Sequence, residues 1–209
     1  MRIAALVLAA GGSSRLGEPK QLLVDLNGET LVHRTVRNAI DAGASPVIVV
    51  IGAHAAQVAK SVQDFIESEH DVFTIENTAW KNGLSLSIQL GVQALKSMNG
   101  DVSGAMLLTC DMPSVSVSHL HALGTAFDLG AVRVASSYGS TRGIPAIISR
   151  AEFAELLNLS GDRGAKALLA QDSTEIVELV GGTFDLDTPA DVAKWRAQQA
   201  TDKQVARRD

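Results

Sequence analysis

The sequence has little cysteine, few aromatic residues and no long apolar run. Its 209 residues include one cysteine, Cys110, and 4% aromatic residues. A single cysteine excludes an internal disulfide and is typical of a reducing compartment. No stretch reaches the roughly 18 apolar residues of a membrane span. The first apolar run has no basic segment before it and no cleavage site after it, so we expect a cytoplasmic protein without membrane attachment.

Positive charge is also scarce. The chain has 18 Lys and Arg against 23 Asp and Glu, which gives a net charge of −5. Binding to nucleic acid depends on Lys and Arg that neutralise phosphates, so this balance argues against a general nucleic-acid partner. At 46% hydrophobic residues, the chain can bury one sizeable core. We expect any bound anion to be small and held locally.

Short β-branched segments alternate with helix-length periodic segments along the chain. The predicted strands are 3–8, 47–51, 72–75, 105–109, 132–137, 144–149 and 176–179. The predicted helices are 30–42, 55–68, 86–98, 117–129, 151–157, 164–171 and a last one from Pro189, with Thr188 as its N-cap. This order predicts a largely parallel sheet with helices on both faces. We expect one domain over 1–200 and a polar, disordered tail over 201–209.

The stretch LAAGGSSRLGEPKQLL, residues 8–23, follows the first predicted strand and is rich in small residues. Such residues let the backbone approach a ligand closely and direct its N–H groups at it. Arg15 and Lys20 in the same loop indicate that the ligand is an anion. The spacing matches neither the G-x-G-x-x-G dinucleotide motif nor the G-x-x-x-x-G-K-S/T phosphate loop. The alternative is a flexible glycine-rich turn with solvated charges.

Two acidic segments also lie where predicted strands end. Asp111 lies two residues after the predicted strand 105–109, and the segment 185–191 reads DLDTPAD. Ligands of parallel sheets bind at the carboxyl ends of the strands, so the acidic segments and the loop can share one edge. Mg²⁺ takes one or two protein carboxylates together with phosphates and waters. Asp111 and Asp187 are the predicted ligands, with Asp185 as the alternative to Asp187 because alternation points the two in opposite directions.

The loop resembles the signature of nucleotidyltransferases, most closely the molybdenum-cofactor cytidylyltransferases of the MobA-like NTP transferase family. The matching pattern is Leu8-Ala9-Ala10-Gly11-x-Ser13-x-Arg15-Leu16-Gly17-x-Pro19-Lys20. The resemblance implies a three-layer, Rossmann-like α/β fold of the nucleotide-diphospho-sugar transferase type, with a mostly parallel mixed sheet. It implies catalytic roles for Arg15, Lys20 and Asp111. It also implies that an NTP binds at Leu8, Ala9, Ala10, Gly11, Gly12, Ser13 and Ser14.

Later segments resemble the same family. Asn77, Trp80, Gly83, Ser87 and Gly91 have the spacing of the family's segment beneath the base and ribose. The resemblance makes Gly83 and Ser87 nucleotide contacts, and the alternative is a plain loop and helix start.

Two further segments resemble the family's acceptor side. The residues 142–145 resemble R-G-H-P with Ile144 in place of His, and 161–166 resemble G-D-x-G-A-R with Lys166 in place of Arg. The resemblance implies that Arg142, Asp162 and Lys166 bind the acceptor. Asp162 has the alternative role of a helix N-cap.

Together these features predict a Mg²⁺-dependent nucleotidyltransferase that moves CMP from CTP to a phosphate acceptor and releases pyrophosphate. The Leu-Ala-Ala-Gly form resembles cytidylyl- and uridylyltransferases, whereas guanylyltransferases usually read Leu-Ala-Gly-Gly. The resemblance implies molybdopterin cofactor as the acceptor and a molybdoenzyme as a further partner. Two alternatives stay open: an NAD(P)H-dependent oxidoreductase of aromatic pigments on the same fold, and a non-catalytic protein that delivers the cofactor.

The remaining reactive side chains carry no prediction of chemistry. The histidines do not combine with cysteine in a metal-binding spacing, and we interpret them as structural or exposed: His33, His54, His70, His119 and His121. Cys110 is expected to pack in its strand, because no feature of the sequence would lower the pKa of its thiol.

Overall fold

The computed structural model describes residues 1–68, 70–98 and 101–205, of which 202–205 are described by their backbone alone. The strands are β1 Ile3–Ala9, β2 Val47–Ile51, β3 Val72–Glu76, β4 Gly104–Thr109, β5 Arg133–Tyr138, β6 Thr141–Ser149 and β7 Glu175–Glu178. The helices are α1 Leu31–Asp41, α2 Ala55–Ser61, α3 Gln63–Ile66, α4 Leu84–Ser97, α5 Val117–Asp128, α6 Phe153–Leu157, α7 Lys166–Leu169 and α8 Pro189–Val205. Short 3₁₀ turns lie at Lys20–Leu22, Trp80–Asn82, Arg150–Glu152 and Gly161–Arg163.

Within the described residues, the strands form one seven-stranded sheet in the order β3-β2-β1-β4-β6-β5-β7. Strand β6 is antiparallel to both of its neighbours, and every other pair is parallel. The carboxyl ends of the parallel strands therefore lie at one edge of the sheet, where β6 begins. The predicted mostly parallel mixed sheet is confirmed.

The central strand β1 shows why the fold has three layers. Its residues are almost wholly apolar and buried, as expected of a parallel strand covered on both faces. Ala5, Val7 and Ala9 belong to one apolar cluster, which includes buried residues of α1, α5 and α8. Ala4, Leu6 and Leu8 belong to a second cluster, which includes buried residues of α4, α6 and α7. Alternation along β1 thus divides the core between the two faces of the sheet.

The predicted helices form, with differences at their ends. The helix predicted over 55–68 is interrupted at Val62, whose φ of −120° is not helical. The helix predicted over 164–171 shortens to α7, because Gly164 has a φ of +53° and lies outside it. The N-cap of α8 is confirmed, since the Asp191 amide donates to Thr188 Oγ1 at 3.3 Å.

Helix α8 continues to Val205, so the first residues of the predicted tail are helical. The remainder of that predicted tail, 206–209, lies outside the described residues. Among the described residues, no helix combines the length and apolar character needed to cross a membrane.

Candidate functional site

The loop after β1 turns back on itself and is held by one buried side chain. Gln21 is 2% exposed, and its amide donates to the carbonyl oxygens of Ala9, at 3.1 Å, and Gly11, at 2.6 Å. The amide N–H of Lys20 donates to Ser13 Oγ at 3.0 Å, and Ser13 has a φ of +50°. The start and end of the loop are thereby joined, which fixes where Lys20 enters the site. The sequence motif did not identify this role of Gln21.

Two positions near the loop have no space for a side chain. A Cβ atom on Gly12 would lie 2.8 Å from the ring of Trp80, and a Cβ atom on Gly52 would lie 2.9 Å from Cβ of Ala10. Real Cβ atoms do not make contacts this short, so a side chain at either position would force its neighbours to shift. Trp80, which the sequence left without a role, forms the wall against Gly12.

Four predicted residues meet at the carboxyl edge of the sheet. Lys20 Nζ lies 2.5 Å from Asp111 Oδ2 and 3.2 Å from Asp187 Oδ1, and Arg15 Nη2 lies 2.9 Å from Asp187 Oδ2. The side chains of Lys20, Asp111 and Asp187 are 22%, 18% and 31% exposed, whereas that of Arg15 is 73% exposed. We call these four residues the ion cluster.

The electrostatics of the ion cluster favour a charged lysine. Burial alone would lower the pKa of Lys20, but the carboxylates of Asp111 and Asp187 outweigh it, and the pKa is raised. Partial burial, followed by the charges of Asp111 and Asp187, raises the pKa of Asp185 to about 6. Asp185 makes no ion pair with the described residues, so Asp187, the preferred choice from the sequence, is the carboxylate that joins the cluster.

The backbone around Asp111 is held by neighbouring elements. Its carbonyl oxygen accepts a hydrogen bond from the amide of Leu186 at 3.0 Å, which links the two acidic segments. From α1, Arg34 Nη2 donates to the carbonyl of Pro113 at 2.5 Å, and Asn38 Nδ2 donates to that of Val115 at 3.2 Å. These bonds fix the chain that leaves β4.

Cys110, next to Asp111, is buried as predicted. It is 6% exposed. Burial, together with the charge of Asp111, raises the pKa of its thiol to about 12. A thiol of this kind is not a nucleophile near neutral pH.

A cavity of about 370 Å³ opens above the loop, and we call it the loop cavity. It is lined by Leu8, Ala10, Gly11, Gly12, Lys20, Gln21, Trp80, Lys81, Gly83, Leu84, Ser87, Thr109, Cys110, Asp111 and Asp162. Most residues predicted to bind the nucleotide are in this set. Ala9, Ser13 and Ser14 are not: the Ala9 side chain is buried in the core, and Ser14 is exposed.

The far wall of the loop cavity is the start of α4. Ser87 is buried there and accepts a hydrogen bond from Asn77 Nδ2 at 3.0 Å. Gly83 precedes α4 with a φ of +107°, and a Cβ atom on it would lie 2.6 Å from Asp162 Oδ1. Asp162, predicted to bind the acceptor or to cap a helix, therefore lies in the loop cavity, because its 3₁₀ turn packs on α4. The N-cap position of α7 belongs to Ala165.

A second cavity, of about 250 Å³, adjoins the first, and we call it the hairpin cavity because β5 and β6 form one wall. It is lined by Leu84, Thr109, Asp111, Met112, Tyr138, Thr141, Arg142, Gly143, Ile144, Arg163, Ala165, Lys166, Leu169 and Asp185. The two cavities share Leu84, Thr109 and Asp111. Asp111 thus stands where they meet.

The hairpin cavity carries three exposed cations: Arg142, Arg163 and Lys166. None of them forms an ion pair with any described residue. Arg142 and Lys166 are predicted acceptor contacts. Arg163 occupies the variable position of the motif G-D-x-G-A-R, so the family pattern gave no signal for it. Ile144, at the position of the family's histidine, forms part of the apolar wall.

Comparison with known proteins identifies the relatives of this chain. The MobA-like NTP transferase domain matches residues 5–176. The purine catabolism protein PucB of Bacillus subtilis is 29% identical over 202 residues, which cover 87% of this chain and 90% of PucB. The nicotine blue oxidoreductase of Paenarthrobacter nicotinovorans is 28% identical, with 81% of this chain and 82% of that protein covered.

Three other comparisons concern the covered length and the fold. The bifunctional protein GlmU of Anaeromyxobacter dehalogenans is 29% identical over 125 residues, and the chain spans only 25% of its length. The crystal structure of Rv0371c from Mycobacterium tuberculosis has a TM-score of 0.76 at 25% identity, covering 94% of this chain and 98% of Rv0371c. Rv0371c in complex with manganese has a TM-score of 0.72 at 24% identity, covering 94% and 99%.

Proposed function

The chain belongs to the MobA-like NTP transferase family, and from this premise we propose that it transfers the nucleoside monophosphate of an NTP to a small acceptor that carries a phosphate. Membership and fold support a nucleotidyltransferase. The observation that carries the proposal is the position of Asp111, which lies between the loop cavity and the hairpin cavity and contacts Lys20. A donor in one cavity and an acceptor in the other would meet at this carboxylate.

The donor would occupy the loop cavity. Lys20 supplies a compact positive charge, and Arg15 supplies a planar fork that matches phosphate oxygens. The amides of Gly11 and Gly12 are available to the same phosphates, as in other loops that bind anions. These groups would stabilise the charge that develops on the α-phosphate and the leaving pyrophosphate. CTP is the proposed donor, because the Leu8-Ala9-Ala10-Gly11 form resembles that of pyrimidine nucleotidyltransferases.

The residues present fit a divalent metal ion, and we propose Mg²⁺. Asp111 and Asp187 already hold one cation between them, the ammonium group of Lys20. Mg²⁺ binds through one or two carboxylates and takes its other ligands from phosphates and water. The manganese complex of Rv0371c adds support for a divalent ion. When bound, the ion would supply charge neutralisation at the phosphates.

The acceptor would occupy the hairpin cavity. Arg142, Arg163 and Lys166 favour an anionic group, and Tyr138 and Ile144 provide a wall suited to a ring. We propose molybdopterin cofactor as the acceptor, with a molybdoenzyme as the recipient of the product. An oxygen of the acceptor phosphate would form a bond to the α-phosphorus as the bond to pyrophosphate breaks. Catalysis then rests on alignment and charge stabilisation, without a covalent intermediate on the protein.

A pyrophosphate assay tests the proposal. The protein is incubated with Mg²⁺, molybdopterin cofactor and each NTP in turn, and we expect release of pyrophosphate with CTP above the other nucleotides. Absence of turnover with every NTP would overturn the enzymatic function. Lys20→Ala separates catalysis from mere delivery of a cofactor: transfer should fall by orders of magnitude if this charge stabilises the transition state, whereas delivery does not need it.

The similarity to nicotine blue oxidoreductase supports a second candidate function. In this candidate, the hairpin cavity would bind an aromatic pigment, and Ile144 would contribute an apolar contact in place of the family's histidine. The chain has no G-x-G-x-x-G loop for a nicotinamide cofactor, so nucleotidyl transfer is preferred. A pigment-dependent change in the absorbance of NAD(P)H, without pyrophosphate release, would reverse this preference.

A further inference from the structure

The ammonium group of Lys20 lies where a metal ion would be expected. Its Nζ atom contacts oxygens of both Asp111 and Asp187, at 2.5 and 3.2 Å, and the second oxygen of Asp187 contacts Arg15 at 2.9 Å. The ion cluster thus pairs two cations with two carboxylates. Among the described residues, no group of three or more His, Cys, Asp and Glu side chains is arranged to hold a metal by itself.

This pairing works against metal binding in the free protein. A divalent cation at Asp111 would stand within a few ångströms of the Lys20 ammonium, in a site whose side chains are mostly screened from water. Like charges at such distances repel strongly when solvent is partly excluded. The ammonium group of Lys20 already forms ion pairs with both carboxylates, at 2.5 and 3.2 Å, and so occupies the oxygens that the metal would need. The metal can bind only if the lysine moves.

A nucleotide provides the alternative partner that lets the lysine move. Lys20 lines the loop cavity, and Arg15 belongs to the same loop. A triphosphate carries several negative charges and offers oxygens that accept charge-assisted hydrogen bonds from both side chains. Once Lys20 and Arg15 bind these oxygens, Asp111 and Asp187 are released from their present partners.

We infer that Lys20 is an internal counter-ion that closes the metal site until an NTP draws it away, so that nucleotide and divalent cation bind with positive cooperativity. This inference rests on the proposed function, since it needs the loop cavity to accept a triphosphate. Coupling is reciprocal: if the nucleotide raises the affinity for the metal, the metal raises the affinity for the nucleotide by the same factor. Factors of about 5 to 150 are typical of such coupling.

Direct measurement of metal affinity tests the inference without turnover. Mn²⁺ is the probe, and electron paramagnetic resonance reports the free ion in titrations of the full chain with and without CTP. For the native protein we expect at least about tenfold tighter binding of Mn²⁺ with CTP than without it, after correction for the Mn²⁺ that CTP binds by itself in a titration without protein. Lys20→Met should bind Mn²⁺ at least about tenfold more tightly than the native protein when no nucleotide is present. Lys20→Arg keeps a positive charge at this position, so its Mn²⁺ affinity without nucleotide should stay as low as that of the native protein.

Two further variants make the test specific. Lys60→Met removes one positive charge from an exposed position on α2, away from both cavities, and should leave the affinity unchanged. The double variant Lys20→Met with Asp111→Asn should not show the higher Mn²⁺ affinity of Lys20→Met, because it lacks the carboxylate that pairs with Lys20 in the native protein. Circular dichroism confirms that each variant is folded.

Three results would overturn the counter-ion role. The first is that Lys20→Met and the native protein bind Mn²⁺ equally well without nucleotide. The second is that Lys60→Met gains as much Mn²⁺ affinity as Lys20→Met. The third is that CTP does not change the Mn²⁺ affinity of the native protein. The test also separates the two proposals. If no NTP is turned over and the Lys20→Met gain still occurs, the proposed function fails while the closed metal site stands. If turnover occurs without any gain, the counter-ion role alone fails.

Discussion

The loop cavity and the hairpin cavity meet at Asp111, but the cations that line them differ in whether they form ion pairs. In the first, Lys20 is paired with Asp111 and also with Asp187, which lies outside the cavity lining and is itself paired with Arg15. In the second, the cations have no carboxylate partner among the described residues: Arg142, Arg163 and Lys166. Lys20 in the loop cavity must therefore exchange ion pairs to bind an anion, although Lys81 at the same cavity has no ion pair among the described residues. The three cations of the hairpin cavity can attract an anion directly.

The two cavities also differ in how their walls are built. The loop is fixed by backbone geometry, because Gln21 joins the carbonyls of Ala9 and Gly11, and Gly12 has no room for a side chain. The cations of the hairpin cavity are exposed ends of long side chains. A fixed backbone suits the triphosphate that every NTP shares. Exposed side chains can be substituted with less effect on the fold than residues that fix the backbone.

Removal of the shared carboxylate should have the largest effect. In Asp111→Asn, Lys20 loses its closest charged partner and the proposed metal loses a ligand. We expect the kcat for pyrophosphate release to fall by at least about 10² to 10³, the usual result of removing one preorganised group that stabilises a transition state. Asp101→Asn, at a fully exposed position, is the matched control and should keep its activity. A loss of only a few-fold in Asp111→Asn would contradict the central place of this residue.

Removing positive charge from the hairpin cavity should weaken binding of the acceptor without affecting binding of CTP. Arg142→Gln and Lys166→Gln each remove one charge that we assign to the acceptor. A hydrogen bond to a charged group contributes about 1.5 to 3 kcal/mol, so the KM for the acceptor should rise by about 10- to 100-fold. The KM for CTP should stay unchanged, as should both values in the control Arg150→Gln. If the KM for CTP rises instead, our assignment of the cavities is reversed.

The sequence predicted the parts of the site that depend on strand ends. Asp111 lies two residues after the end of β4, and parallel strands bring their carboxyl ends to one edge, so its meeting with Lys20 and Asp187 could be expected. The role of Gln21 could not be predicted, because the spacing of residues in a loop does not reveal which carbonyl oxygens a side chain will reach. Asp162 was assigned from its motif to the acceptor side. Its contact with Gly83 joins segments far apart in sequence, and only tertiary packing decides such a contact.

The internal hydrogen bonds of the loop should matter for stability. Gln21→Leu leaves the buried carbonyl of Ala9 and the partly buried carbonyl of Gly11 without this donor. An unsatisfied buried polar group costs about 1 to 3 kcal/mol, and we expect the free energy of unfolding in urea to fall within that range. The KM for CTP should rise with little change for the acceptor. Gln63→Leu, which removes one exposed hydrogen bond to Glu67, should change neither quantity noticeably. If both variants lost a similar amount of unfolding free energy, the hydrogen bonds of Gln21 would not be what stabilises the loop.

The smallest effect should come from a histidine outside both cavities. His33 on α1 contacts Glu29 at 2.8 Å and Asp64 at 2.9 Å, and Glu29 also pairs with Arg37. Burial lowers the pKa of His33, but the hydrogen bonds and charges of Asp64 and Glu29 outweigh it, so the pKa is raised. The stability that this ring contributes is therefore complete below about pH 6.5, the ordinary histidine pKa. It is lost as the pH rises through the higher pKa of the folded state.

In His33→Gln, the loss of stability relative to the native protein should be larger at about pH 5.5 than at about pH 8.5. It should stay below about 1 kcal/mol because Asp64 is 63% exposed. Urea denaturation at both pH values measures this difference, with the exposed His121→Gln as control. The KM values for CTP and acceptor should not change, since His33 lines neither cavity. A larger loss at the higher pH would show that the neutral ring, rather than the cation, joins α1 to α3.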